Sequence, residues 1–260
     1  MRKIIPCLLF AGAALAAFLG MQFAPSAQAG SARVTPVAQA HDDATRSARP
    51  VVIELFTSQG CSSCPPADLL ASRLAKDGSL LVITRPVTYW DRLGWKDTLA
   101  REDNTRLQRA YAGKGHAGAG VYTPQIVVNG GGGAVGSRES DIRSLVRRAD
   151  RSGPLITATT NADGGMMVTV SGKSDFLAGV SLIALSSSET VRVGRGENGG
   201  RTLHYTNVVK NERRLGSWRG RREQFAVPPE YMNVSGADRY AIVVQRPGVG
   251  RIVGAKLLEI

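Results

Sequence analysis

Cysteine and histidine are both scarce in this chain, with three of each among 260 residues. A structural zinc site takes about four ligands, commonly thiolates and imidazoles at short paired spacings. His41, His116 and His204 each stand alone, so no such ligand set can be read and no cofactor is implied. Acidic residues are missing from one end, with none before Asp42. After residue 30 no apolar run is long enough to cross a bilayer. No internal repeat is present.

The acid-free end has a pattern of its own. Arg2 and Lys3 precede small and apolar residues running from residue 4 to about residue 24, and the small-residue site Ala27-Gln28-Ala29 follows. That is the layout of a secretory signal peptide over residues 1–29, with cleavage after Ala29. An uncleaved membrane anchor is the rival reading, because the apolar region is long for a signal. Cleavage removes Cys7 and leaves Cys61 and Cys64 as the only thiols, in a periplasmic or extracellular setting where disulfides persist. Lys and Arg outnumber Asp and Glu by 33 to 21. In a cytosolic protein that excess would raise the question of nucleic acid. In an exported one it reads as a solvated basic surface able to meet anionic lipid or polysaccharide.

About 230 residues remain, enough for two domains. Residues 30–49 lack periodicity and read as a flexible leader. "VVIELFT" from Val51 is an apolar, β-branched strand running into the turn before Cys61. "PADLLASRLAKDG" sets Leu69, Leu70 and Leu74 at helical spacing, with Gly78 as the stop. "LLVITRPV" and "PQIVVNG" are further strands, with a helical stretch around residues 98–112 between them. Residues 130–133 read as a glycine turn, "AVGS" as a short strand, and "SRESDIRSLVRRADR" as a closing helix with Ile142, Leu145 and Val146 on one face. Beyond Gly153-Pro154 the runs are short, β-branched and separated by Gly, Asp, Asn or Pro. They predict a second, all-β part, most simply a small sandwich over residues 153–260.

The pair in "GCSSCPP" admits three readings. A staple across so short a loop contributes only about 2 kcal/mol by chain entropy. Redox-linked copper binding by the two thiols is a second. The third is a reactive disulfide, favoured because the Cys-x-x-Cys lies between a strand and a helix. Unpaired N–H groups at a helix start favour thiolate, which lowers the pKa of a nearby thiol. Pro65 and Pro66 suit a first helical turn, where missing donors cost little. On this reading Cys61 is the exposed nucleophile and Cys64 the buried resolving thiol. Glu54, which interrupts the first strand, is a candidate proton carrier if buried, or else a paired carboxylate. Thr123-Pro124 directly precedes a strand. Tyr89, Trp90 and Trp95 cluster in "TYWDRLGWKD", either as packed loop residues or as a substrate-facing wall. "GRGENGGR", residues 194–201, offers glycine amides beside Arg195 and Arg201 that could cradle an anion, although a plain loop between strands is the favoured reading.

These residues carry a family resemblance. The strand–CSSC–helix unit and the Thr123-Pro124 strand resemble the thioredoxin superfamily over residues 51–151. More narrowly, "ELFTSQGCSSCPPAD", "YWDRLGWKD", "RAYA", "VYTPQIVVNG" and "GENGGRTLHYTNVV" are similar to the secreted thioredoxin-like proteins of domain-of-unknown-function family 1223, over nearly all of the mature chain. The resemblance implies an α/β thioredoxin-like domain at residues 50–152 followed by an all-β, sandwich-like domain at 153–260. It also implies a cis proline at Pro124, lying against the disulfide and aligning a partner chain beside Thr123. Where the family carries a Phe-His-Val-Asp type segment before Tyr-Trp, this chain has Arg85-Pro86-Val87-Thr88. The favoured expectation is thiol–disulfide exchange with protein thiols or disulfides of the cell envelope, with Cys61 attacking, Cys64 resolving, and Pro124 and Glu54 assisting. The competing one is a non-enzymatic envelope-binding module with an inert disulfide.

Overall fold

A computed structural model describes residues 49–115 and 120–258. The expected signal peptide, nearly all of the expected leader, His41 and His116 lie outside the described residues. β1 (Val51–Thr57) and β2 (Leu80–Pro86) pair in parallel, with α1 (Pro65–Leu74) as the crossover. β3 (Gln125–Val128) lies antiparallel to β1, and β4 (Gly132–Val135) pairs with β3, so two glycines expected in a turn belong to a strand. α2 (Glu102–Gly113) precedes β3 and α3 (Glu139–Arg147) follows β4. The remaining strands are β5 (Leu155–Thr160), β6 (Met166–Ser171), β7 (Ala178–Arg192), β8 (Thr202–Trp218), β9 (Glu223–Val227), β10 (Arg239–Gln245) and β11 (Ile252–Leu258).

The chain is mostly β, and its strands do not divide as the sequence suggests. Eight of them form a single mixed sheet in the order β11-β10-β7-β8-β2-β1-β3-β4, and β5-β6-β9 make a small second sheet. The expected α/β thioredoxin-like domain followed by a separate all-β domain is therefore overturned. The reason is the free edge of β2. β8 takes it in parallel at Thr84 and Val208, and two side chains fasten the join. The Thr84 hydroxyl donates to the Thr206 carbonyl at 2.6 Å, and the Asn207 amide donates to the Val82 carbonyl at 2.9 Å. Asn207 has a φ of 47°, a left-handed backbone that asparagine tolerates better than most residues.

Alternation along β1 sorts its side chains between two cores. Val51, Ile53 and Leu55 face α1 and α3, packing with Leu70, Leu74 and Ile142. Leu69, expected on this stripe, points to solvent. On the opposite face Val52 packs with Ile83, Ile183 and Val243, and Phe56 with Val87 and Tyr111. The small sheet closes over β7 and β10 through Val168, Val180, Trp218 and Ile242.

Glu54 sits on that second face, between Val52 and Phe56, and is buried. Its Oε1 accepts from Arg85 Nε at 2.6 Å and its Oε2 from the Tyr111 hydroxyl at 2.7 Å. Arg85 also donates to Glu212 of β8 at 3.0 Å and to Asn104 of α2 at 3.3 Å. Burial works against the guanidinium's charge, but Glu212 and Glu54 outweigh it and hold its pKa above the ordinary value. Burial, reinforced by Glu54, also raises the Tyr111 phenol. This network joins β1, β2, α2 and β8. Removing one member of a buried pair strands the other's charge, at a cost of about 3–5 kcal/mol. Arg85→Met should lower the urea-unfolding free energy by about that amount. Glu212, whose side chain is 36% exposed, should cost about 1 kcal/mol or less when changed to Gln. Equal losses from the two substitutions would contradict this assignment.

Candidate active site around the Cys61–Cys64 disulfide

Cys61 and Cys64 form a disulfide in the turn between β1 and α1, with Cα atoms 5.4 Å apart. The turn is closed by the Cys61 N–H on the Ser58 carbonyl and the Cys64 N–H on the Cys61 carbonyl. Cys64 occupies the helix N-cap position, its carbonyl accepting from the N–H groups of Ala67 and Asp68. Pro65 and Pro66 fill the first helical positions. The expected contrast between an exposed Cys61 and a buried Cys64 is absent: both have 0% relative exposure, while Ser62 and Ser63 between them are exposed. The Cys61 sulfur lies 3.3 Å from the Ser63 hydroxyl.

Cys61 is covered by a segment far away in the sequence. Residues 194–201 form the tip of the β7–β8 hairpin, closed by the Val193 N–H on the Arg201 carbonyl and the Gly200 N–H on the Val193 carbonyl. Asn198 is fully buried although its neighbours Glu197 and Gly199 are exposed. Its side-chain NH2 donates to the carbonyls of Gln59, at 3.0 Å, and Cys61, at 2.9 Å. Its side-chain oxygen accepts from Arg201 at 2.8 Å. Glu197 accepts from the Ser62 N–H at 2.9 Å, and that bond holds its carboxyl below the usual range. Residues 194–201 thus strap the cysteine turn, and Arg201, proposed from sequence as part of an anion cradle, is committed to Asn198. Nothing near the cysteines in sequence marks this strap. The one signal is an asparagine followed by two glycines in "ENGG".

The aromatic loop fills the space between turn and strap. Trp95 donates its indole N–H to Gln59 Oε1 at 2.8 Å and lies against Gly194, where a Cβ would stand 3.0 Å from the ring. Trp90 donates to the Thr123 hydroxyl at 2.8 Å and backs Gly60. Tyr89 is half-buried against the Phe56, Val87 and Tyr111 cluster. The Thr123–Pro124 peptide is cis, and Pro124 is buried beside Gly136 and Ala67. His204 is exposed on β8, its Nδ1 3.0 Å from the Thr190 hydroxyl. Among the described residues, no group of three or more His, Cys, Asp or Glu side chains is placed to hold a metal ion.

The sequence reading passed over Asp68. It lies one helical turn after Cys64 on the buried side of α1, and its Oδ1 accepts from the Thr57 hydroxyl at 2.8 Å. Its other oxygen is buried without a hydrogen-bond partner. Burial pushes the carboxyl up to about 8, the Thr57 bond pulls the other way, and the Asp97 charge adds to the rise. Asp97 is itself raised by burial, against hydrogen bonds from the N–H groups of Gln59 and Leu99. The Tyr205 hydroxyl of β8 is likewise buried and unpartnered, and burial beside Asp68 and Asp97 keeps it protonated. Glu54, the expected proton carrier, is instead occupied on both oxygens by Arg85 and Tyr111. The helical spacing from Cys64 to Asp68 to Ala71, all buried, was the available clue.

Several comparisons bear on this geometry. The family described as "Protein of unknown function (DUF1223)" matches residues 52–245. No curated protein matches the sequence. A crystal structure of a protein from Agrobacterium tumefaciens is similar, at 27% identity and a TM-score of 0.70, covering 80% of this chain and 93% of that one. HBP35 of Porphyromonas gingivalis is similar in fold, at 14% identity and a TM-score of 0.50, covering 82% of this chain and 75% of that one.

Asp68 makes stability pH-dependent in a definite direction. Its folded value of about 8 lies above the ordinary 3.8, so between these limits the folded state keeps a proton that the unfolded chain has released. Its contribution is therefore greatest near pH 4, falls as pH rises, and levels off above about 8. With the disulfide intact, Asp68→Asn should gain on the wild type by about 2 kcal/mol or more between pH 5 and pH 8 in urea unfolding. Parallel pH curves for the two proteins would rule out a buried, proton-holding Asp68.

Proposed function

This chain belongs to the DUF1223 family of proteins of unknown function, and we propose that its chemistry is thiol–disulfide exchange at Cys61 and Cys64 with thiol or disulfide proteins of the cell envelope. The observation that carries this reading is Asp68: a proton-holding carboxyl buried one turn from a disulfide at a helix start. A structural staple has no use for such a group, whose burial is costly. Exchange does, because each cleavage of the disulfide produces a thiolate that must be protonated.

A partner thiolate attacks the Cys61 sulfur, on the side of the turn where Ser62 and Ser63 are exposed. The new bond is a mixed disulfide, and the electron pair of the broken S–S bond leaves on Cys64. Asp68, protonated below about pH 8, gives that thiolate a proton. A second partner thiolate then attacks the partner's sulfur in the mixed disulfide and releases Cys61 as thiolate. Solvent protonates Cys61 and returns a proton to Asp68. Two electrons and two protons have passed from the partner dithiol to the Cys61–Cys64 pair. Run backwards, the same steps reduce a partner disulfide. Proton transfer of this kind is most effective when the carrier's pKa is close to ambient pH. The helix start adds partial positive charge that favours thiolate.

Two parts of the structure shape access. The strap must lift from Ser62 before a partner sulfur can approach Cys61, since Glu197 and Asn198 occupy the turn's backbone groups. Trp90, against Gly60, and Trp95, bonded to Gln59, lie beside the same turn and would offer a partner segment its surface, with Thr123 bonded to Trp90.

Trapping tests the reading. Cys64→Ser leaves Cys61 able to attack but removes the group that resolves the mixed disulfide. Expressed in its own compartment, this variant should accumulate disulfide-linked partners that dithiothreitol releases, while Cys61→Ser should accumulate none. Absence of adducts on Cys64→Ser, together with equal loss of stability in the two variants, would identify the disulfide as a staple.

A further inference from the structure

A second recess lies beyond the opposite end of β1 from the disulfide, where Asn129 at the end of β3 meets the Val52 N–H. It has a volume of about 470 Å³, within the roughly 300–1,000 Å³ of small-molecule sites. Its floor includes the half-buried Leu145 at the end of α3 and Phe176 of the core between the two sheets, with Trp218 buried beneath. The wall is tightly built. At Gly153 an added Cβ would stand 1.5 Å from the Val253 carbonyl oxygen, so the crossing from α3 to β5 can lie against β11 only as glycine.

The rim carries Arg148, Lys173, Arg246 and Arg251. Among the described residues none of the four takes part in an ion pair. The Arg246 guanidinium carbon sits 3.6 Å from the centre of the Phe176 ring. Stacking of that kind covers the guanidinium face and leaves its N–H edge for a planar or tetrahedral anion. The one carboxylate in the recess, Asp150, accepts from the Ser152 N–H at 2.8 Å, and that bond, with Arg251 and Arg246 adding to it, holds its carboxyl below the usual range. Asp150 thus offsets part of the charge of Arg246 and Arg251, and four cations still face a single carboxylate above a partly apolar floor. Like charges gathered at a concave surface repel one another, and apolar surface open to water is unfavourable. An anion with an apolar body relieves both.

We propose that this recess binds a small amphipathic anion, a carboxylate, phosphate or sulfonate on an aliphatic or aromatic body. Arg246 and Arg251 hold the head group, and the half-buried Leu145 and Phe176 receive the body. The site is independent of the disulfide chemistry and stands whether or not the exchange reading does.

Calorimetric titration of the intact protein with laurate tests it, with acetate as head alone and dextran sulfate as a polyanion. Laurate should bind saturably at one per chain, and acetate should bind at least about tenfold more weakly for want of apolar burial. The double substitution Arg246→Gln with Arg251→Gln should weaken laurate by about tenfold or more, the ordinary effect of losing a charge-assisted hydrogen bond. Its unfolding midpoint and its rate of disulfide reduction by dithiothreitol should match the wild type. Laurate affinity unchanged by the double substitution would overturn the proposal. So would binding of dextran sulfate through these arginines with no response to laurate, which would assign the face to a polymer.

Discussion

One side-chain amide fastens a distant hairpin tip to the cysteine turn. Asn198 places two donors on the carbonyls of Gln59 and Cys61 and receives Arg201 on its oxygen, so a glycine-rich hairpin tip becomes a cover for the cysteine turn. That cover requires the hairpin to reach the end of β1 where the cysteines are. It reaches there because β8 pairs with β2, and β2 pairs with β1. The join of the two halves into one sheet and the shielding of Cys61 are thus consequences of the same placement. Buried carbonyls of a turn need partners, and here a distant amide serves the Gln59 carbonyl and joins the Cys64 N–H on the Cys61 carbonyl.

Two buried carboxyls on neighbouring elements meet opposite fates. Glu54 is matched by Arg85 and Tyr111, so its charge is compensated where it lies and it ties strands together. Asp68 has one hydroxyl donor and an acidic neighbour, so burial favours its neutral form. The difference lies in which face of the sheet each occupies: Arg85 is on the Glu54 face, and α1 places Asp68 on the other with no cation beside it. Held protonated at neutral pH, Asp68 can donate, while Glu54 is fixed in its ion pair.

Much of the first half was legible because its signals are local. "VVIELFT", the Cys-x-x-Cys before two prolines and the Ile142 face of α3 are strand, turn and helix patterns within a dozen residues. The β2–β8 pairing was not legible, since Thr84 and Val208 lie far apart in the chain and an apolar strand does not name its neighbour. The division into an α/β part and a separate all-β part failed on that one contact. Glu54 drew notice by interrupting an apolar run. Its partner Arg85 stood only as a departure from a family segment, because an ion pair between adjacent parallel strands leaves no mark in spacing. Asp68 drew no notice, because an acid in a first helical turn is ordinary and favourable. Its isolation from cations shows only in three dimensions. The strap was visible as "GRGENGGR" but without its target, which lies 137 residues away.

The account rests on a disulfide that is shielded but poised, and the rate at which dithiothreitol opens it measures that shielding directly. Asn198→Ala removes both donors to the turn, each worth about 0.5–1.5 kcal/mol. The variant should be reduced about tenfold faster than the wild type at the same pH, with the global unfolding free energy lowered by no more than about 1–3 kcal/mol. Equal rates in the two proteins would mean that the strap does not guard Cys61.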